Sequence, residues 1–112
     1  MRVRRDLAGS RLVCSGTQYN RGEPYDFSGR IIELNNGGEA FVYGVDNGDR
    51  LHYDSFDTEV TLDWPAGCMH TNMNKCLIYG QIKRFDGAII ITDNQRKETV
   101  LIGQCVPFKP MF

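Results

Sequence analysis

The side chains best suited to proton transfer in this chain are its two histidines, His52 and His70. His52 and Asp54 stand at alternate positions of a predicted strand, so both face the same side and the carboxylate could orient the imidazole as a general base. No serine or cysteine lies in a Gly-x-Ser-x-Gly context that would supply a nucleophile. We therefore expect no catalytic residues and a non-enzymatic protein, with a small hydrolytic domain as an alternative.

Cysteine and histidine also occur at a spacing that could bind zinc. Cys68, His70 and Cys76 form a Cys-x-His-x5-Cys pattern, which lacks the Cys-x2-Cys knuckle typical of structural zinc sites. A fourth ligand would have to be Cys14, Cys105 or His52. No phosphate-binding loop is present, because no Lys-Ser/Thr pair follows Gly37-Gly38. We expect no metal and no cofactor, and we keep the zinc set as an alternative.

The four cysteines bear on the redox environment of the protein. An even number allows two disulfides in three connectivities. The basic start, with Arg2, Arg4 and Arg5, is not followed by an apolar stretch, so no secretory signal is expected. We therefore predict a cytoplasmic location and four reduced thiols packed as small apolar side chains. No apolar run approaches the roughly 18 residues of a membrane span, so we expect no membrane partner.

Three glycine-centred turns separate short segments in which apolar and polar residues alternate. This pattern predicts a meander of antiparallel strands. The turns are Asn36-Gly37-Gly38, Asp46-Asn47-Gly48-Asp49 and Asp86-Gly87. The predicted strands span 11–15, 27–34, 39–45, 49–55, 58–62, 77–85, 88–92 and 98–103, with a long polar loop over 15–24. Glycines at positions 29, 44, 80 and 103 fall inside strands, where they mark bends or bulges.

This pattern predicts an all-β fold, a small antiparallel barrel or sandwich of six to eight short strands. In outline it is similar to SH3-like and oligonucleotide-binding (OB) barrels. The 112 residues form one domain, 1–112, with a basic N-terminal arm over 1–10 and an apolar C-terminal tail over 106–112. Because Pro107 and Pro110 cannot sit in a central strand, the tail is expected to lie across the sheet, against Tyr79, Phe85 and Ile90.

Turn chemistry also predicts register. A three-residue loop over 46–48 sets Phe41 opposite Tyr53 and Tyr43 opposite Leu51, with Val45 on the same face. Val42, Arg50 and His52 then lie on the other face. A two-residue turn at Asp86-Gly87 sets Ile82 opposite Ile91 and Arg84 opposite Ile89. One face of this second hairpin then consists of Ile78, Gly80, Ile82, Ile89 and Ile91.

Charge is sorted along the chain. Residues 31–65 hold one basic and eight acidic side chains, whereas 1–30 and 66–112 each hold six basic and three acidic ones. Such sorting is compatible with acidic edge strands that stay soluble, or with a face that attracts a basic partner.

From these features we predict a binding module that acts through protein–protein contact, with a homodimer as one form of it. The candidate ligand or partner residues are Tyr79, Lys83, Arg84, Phe85, Arg50 and His52. The alternative is a barrel that binds single-stranded nucleic acid, using these aromatic and basic side chains together with Arg96 and Lys97. The acidic middle segment weighs against that alternative.

Overall fold

Eight antiparallel strands form a closed barrel in the computed structural model, which describes residues 9–42 and 50–108. Each strand pairs with its neighbour in sequence, and β8 pairs with β1 to close the barrel. The strands are β1 (Ser10–Asn20), β2 (Glu23–Leu34), β3 (Glu39–Val42), β4 (Arg50–Ser55), β5 (Glu59–Trp64), β6 (Ile78–Lys83), β7 (Ala88–Asp93) and β8 (Glu98–Pro107). A short helix, α1 (Cys68–Thr71), and 3₁₀ turns at Asn36–Gly38 and Met73–Lys75 lie between strands. The predicted all-β antiparallel barrel is confirmed.

The strand order is that of an up-and-down barrel. An OB fold is instead a five-stranded Greek key, so the likeness to that fold extends only to its being a small antiparallel barrel. Among the described residues, no helix is long and apolar enough to cross a membrane.

Alternate residues of each strand point into the barrel and fill it with aliphatic side chains. The largest fully buried ones are Ile32, Leu34, Leu51, Leu62, Ile89, Ile91 and Leu101. An eight-stranded barrel has an interior just wide enough for such side chains. The predicted apolar face of the second hairpin is confirmed, because Ile78, Gly80, Ile82, Ile89 and Ile91 are all buried.

The pairing inside that hairpin differs from the prediction. Ile82 lies opposite Ile89, and Gly80 lies opposite Ile91. The turn is longer than two residues, since β6 ends at Lys83, β7 begins at Ala88, and Gly87 N donates to Lys83 O (2.8 Å). The observed register differs from the predicted one by two residues. Such a shift keeps every side chain on the same face of the sheet, so the predicted apolar face is correct although the pairing is not.

The predicted register between β3 and β4 is wrong. Phe41 lies opposite Arg50, and Ala40 lies opposite Leu51. Ala40 and Val42 are therefore buried, while Phe41 points outward beneath the Arg50 guanidinium, 5.0 Å from the ring centroid. Leu51 and Tyr53 face inward, and Arg50 and His52 face outward, as predicted. The turn proposed at Asp46–Asp49 lies outside the described residues.

The predicted loop over 15–24 is instead the tip of a long hairpin between β1 and β2. Its turn is Arg21-Gly22, with φ of 53° and 84°, which are the positive values that a type I′ turn needs. Both faces of this tip are polar or partly exposed, so the sequence shows no alternation there. The predicted irregularity at Gly29 is confirmed, since the β1–β2 register shifts next to it and its φ is 69°.

All four cysteines are in disulfides, so the free-thiol prediction is wrong. Cys14 on β1 bonds to Cys105 on β8, and Cys68 in α1 bonds to Cys76. The zinc alternative built on Cys68, His70 and Cys76 is excluded with it, because a disulfide leaves no thiolate to bind metal. The cytoplasmic location remains a prediction, and since disulfides persist chiefly in oxidising compartments, the two bonds weigh against it.

The start of the C-terminal tail continues the sheet, contrary to the prediction. Val106 lies opposite Val13, Pro107 lies opposite Leu12, and Phe108 N donates to Arg11 O (2.9 Å). The pairing of β8 with β7 ends at Gln104, so Pro107 has a strand on one side only and its missing N–H is tolerated. Residues 109–112 lie outside the described residues.

Candidate functional site

One end of the barrel forms an open apolar cavity, which we call the mouth. β1 begins, β2 ends and β8 ends at this end of the barrel, together with the turn between β6 and β7. The cavity has a volume of about 820 Å³, within the ~300–1,000 Å³ typical of ligand sites. Its floor is formed by inward-facing side chains at the ends of their strands, namely Leu12, Leu34, Val60 and Ile82.

Phe85 stands at the rim of the mouth and is 99% exposed. The turn that carries it is held on both sides. Arg84 N donates to Thr58 O (3.0 Å), and the Arg84 side chain donates to Ser55 Oγ (3.1 Å) and Phe56 O (3.0 Å). On the other side, Cys105 N donates to Gly87 O (2.8 Å). A bound partner would therefore meet an aromatic side chain on a backbone that is already ordered.

Gly87 allows this close contact between the turn and β8. Its φ is 76°, and a Cβ at this position would overlap the carbonyl oxygen of Cys105. Only glycine combines that backbone conformation with that approach. The position of the turn that carries Phe85 thus depends on Gly87, which contacts β8 at Cys105.

The lining of the mouth is more basic than acidic. Arg11, Lys83 and Arg84 line it, against one carboxylate, Asp86. Two nearby carboxylates balance this excess, because Arg11 Nε is 3.4 Å from Glu33 Oε1 and Lys83 lies opposite Glu59 in the sheet.

A second group of polar residues lies on the outer wall of β4 and β5, and its centre is Asp63. This carboxylate is only 1% exposed. Oδ1 accepts from Gly67 N (3.0 Å) and from His52 Nδ1 (3.0 Å), and Oδ2 accepts from Met69 N (3.1 Å). Asp63 therefore fastens the segment that begins α1 to the barrel wall.

The other histidine, His70, lies in α1 and also contacts the barrel wall. His70 Nε2 lies 3.1 Å from Thr61 Oγ1 and 3.5 Å from Asp54 Oδ2, and its ring packs edge-on against Phe56. Asp54 Oδ2 is also 3.7 Å from His52 Nδ1. We call His52, Asp54, Asp63 and His70 the wall cluster.

The wall cluster has part of the geometry of a catalytic site. His52 is oriented by a buried carboxylate, as a general base would be, although the carboxylate is Asp63 across the sheet and not Asp54. The hydroxyl nearest the histidines, that of Thr61, belongs to a residue that is 4% exposed and so is shielded from substrate. In the ranges 9–42 and 50–108, no three His, Cys, Asp or Glu side chains are arranged to hold a metal ion. The contacts fit an anchor for α1 better than an active site.

The structure divides the predicted binding residues among three places. Lys83, Arg84 and Phe85 line the mouth. His52 and Tyr79 lie on the outer wall in register with Asp63. Arg50 lies further along β4, where its Nε is 3.3 Å from Glu39 Oε2.

Arg96 and Lys97 lie in the turn between β7 and β8, at the end of the barrel opposite the mouth. The basic and aromatic side chains considered for nucleic acid thus do not form one surface.

Two features of these sites were not anticipated from the sequence. Asp63 lies just after the predicted strand 58–62, and the only hint of its role was that Trp64-Pro65-Ala66-Gly67, a chain-reversing segment, follows it. The mouth was not anticipated because its residues come from β1, β2, β5, β8 and the turn between β6 and β7, which lie far apart in the chain.

Fold and site together define a small up-and-down β-barrel with an apolar cavity at one open end. Comparison with protein-family models, with curated proteins and with solved structures finds no match. The functional argument therefore rests on the chemistry of the mouth and of the wall cluster.

Proposed function

We propose that this protein is a non-enzymatic binding module that takes up apolar side chains of a partner protein at the mouth of its barrel. The observation that supports this most is the fully exposed Phe85 on a fixed turn beside an apolar cavity. Buried aromatic anchors contribute most of the energy of many protein interfaces, and ordering them in advance removes part of the entropic cost of binding.

The filled interior of the barrel favours a protein partner over a long-chain ligand. Leu34, Val60 and Ile82 close the floor of the mouth, and Leu51 and Leu62 occupy the barrel further in. A long alkyl chain would find the barrel interior already filled, whereas short apolar side chains could be taken up in the open cavity above this floor. Self-association is one case of this proposal, with a second copy as the partner.

The proposal is tested by capturing partners from native extract with the wild type, Phe85→Ala and Tyr25→Ala. Tyr25 is a matched control because it is an aromatic residue, 53% exposed, at the far tip of the β1–β2 hairpin. We expect a protein to be retained by the wild type and by Tyr25→Ala, and to bind Phe85→Ala about tenfold more weakly, which equals about 1.4 kcal/mol.

Nuclease treatment of a parallel sample separates the alternatives. Retention that disappears with nuclease would favour the nucleic-acid alternative. Equal retention by Phe85→Ala and the wild type would contradict a role for the mouth. Mixing tagged and untagged protein reveals whether the retained partner is a second copy of this chain.

A further inference from the structure

We propose that the partner taken up at the mouth is a second copy of this chain, with Phe85 of each copy inserted into the mouth of the other. This inference rests on the proposed function and names the partner of the same site. Each copy then supplies the aromatic side chain that fills the cavity of its neighbour.

The first support is that the mouth combines an apolar projection with an apolar cavity. Phe85 is 99% exposed although it stands at the rim, so its ring fills no space in its own barrel. Val106 and Phe108 also line the mouth, and they are 59% and 42% exposed. A second mouth placed against this one would remove all three apolar side chains from water.

The second support is that the projection and the cavity lie at the same end of the barrel. When a projection fits a cavity elsewhere on the molecule, copies join head to tail and form rings or open filaments. Phe85 and the cavity belong to one surface, so two copies related by a two-fold axis fill both cavities at once. The association therefore closes at two copies.

The third support is the balance of charge at the mouth. Three cationic side chains are matched by three carboxylates, namely Arg11, Lys83 and Arg84 by Asp86, Glu33 and Glu59. A surface with an excess of one sign repels its own copy. A balanced surface can instead set cations against carboxylates across a two-fold axis, so the described residues of the mouth are compatible with self-contact.

Sedimentation velocity of the full chain tests the pairing. We expect the wild type to be mainly dimeric at about 100 μM and monomeric at about 1 μM, because the weaker interfaces of ordinary size bind in the micromolar range. Phe85→Ala removes both insertions and should weaken the dimer about a hundredfold, tenfold for each. Tyr25→Ala is the matched control and should leave the dimer unchanged, since Tyr25 lies at the far tip of the β1–β2 hairpin. Larger species that require Phe85 would overturn the closed pairing.

A mixture of wild type and Phe85→Ala tests whether the insertion is reciprocal. A mixed dimer keeps one of the two insertions, so its affinity should lie about tenfold below that of the wild type and tenfold above that of the variant alone. Labelled wild type sedimented with an excess of unlabelled variant gives this affinity. A mixed dimer as tight as the wild-type dimer would contradict reciprocal insertion.

Charge reversal tests the contact at the rim, where Lys83 and Glu59 lie opposite each other in the sheet. Lys83→Glu and Glu59→Lys each give the mouth an excess of one sign, and each should weaken the dimer about two- to tenfold at about 0.01 M salt. A mixture of the two variants should restore dimers, and so should the double swap, which is balanced again. The differences should disappear at about 1 M salt, where the Debye length is ~3 Å. Dimers that ignore both reversals at low salt would overturn the inference.

The outcomes separate this inference from the proposed function. If the wild type stays monomeric at about 100 μM while capture of a partner from extract still depends on Phe85, the inference is wrong and the proposed function stands. A dimer that forms equally well in Phe85→Ala would also overturn the inference. Equal capture of partners by Phe85→Ala and the wild type would contradict the proposed function itself.

Discussion

Replacing both Cys14 and Cys105 with alanine should lower the free energy of unfolding by about 4–5 kcal/mol. This disulfide joins β1 to β8 across a sequence separation of 91. In the chain-entropy model, a cross-link that closes a loop of this length restricts the unfolded chain by that amount. It also lies at the one seam where the barrel closes on itself, since every other strand pair is joined through the chain. Urea unfolding without reductant measures the loss.

The second disulfide supplies the matched control. Cys68 and Cys76 are separated by only 8 residues in sequence, so replacing both with alanine should cost about 2.5 kcal/mol by the same model. Reduction of the wild type by a dithiol should reproduce the sum of the two losses, because each disulfide becomes two thiols while the dithiol is oxidised. Thiol titration of the unfolded, unreduced protein should find none free. Four free thiols in that titration would show that the bonds do not form.

Changing Asp63 to Asn should destabilise the protein by about 3 kcal/mol, because a hydrogen bond to a charged acceptor contributes about 1.5–3 kcal/mol and a buried donor left without a partner costs about 1–3 kcal/mol. The carboxylate accepts from two backbone N–H groups and from His52 while 1% exposed. Asparagine has the same shape but keeps only one acceptor oxygen, and its NH₂ group would point at N–H groups that also donate. At least one of the buried N–H groups that now bond to the carboxylate therefore loses its partner. Urea unfolding measures the effect.

Amide hydrogen exchange locates the effect of this change. The amides of Gly67 and Met69 should exchange faster in Asp63→Asn, because they lose the acceptor that holds α1 to the wall. Asp54→Asn is the control, since Asp54 faces the same histidines but is more exposed, and its loss should cost less than about 1 kcal/mol. Equal effects of the two changes would contradict the role of Asp63 as the anchor.

The fold class followed from local chemistry. Glycine-centred turns between alternating runs fix antiparallel neighbours, and the face of Ile78, Gly80 and Ile82 followed from strand periodicity alone. The same periodicity placed Leu51 inside and His52 outside. These features depend on residues close together in the chain, so a single sequence is enough to determine them.

Register and site required the tertiary structure. The β3–β4 register depends on which of Phe41 and Val42 the closed barrel can bury, and the smaller side chain is the one inside. The pairing of Cys14 with Cys105 exists only because β8 returns to β1, a contact that no local signal encodes. The same closure brings Leu12, Ile82 and Phe108 to one cavity. Sequence by itself therefore determined the fold class and the faces of β4, β6 and β7, whereas the closure of the barrel decided the β3 face, the disulfides and the mouth, because these depend on residues far apart in the chain.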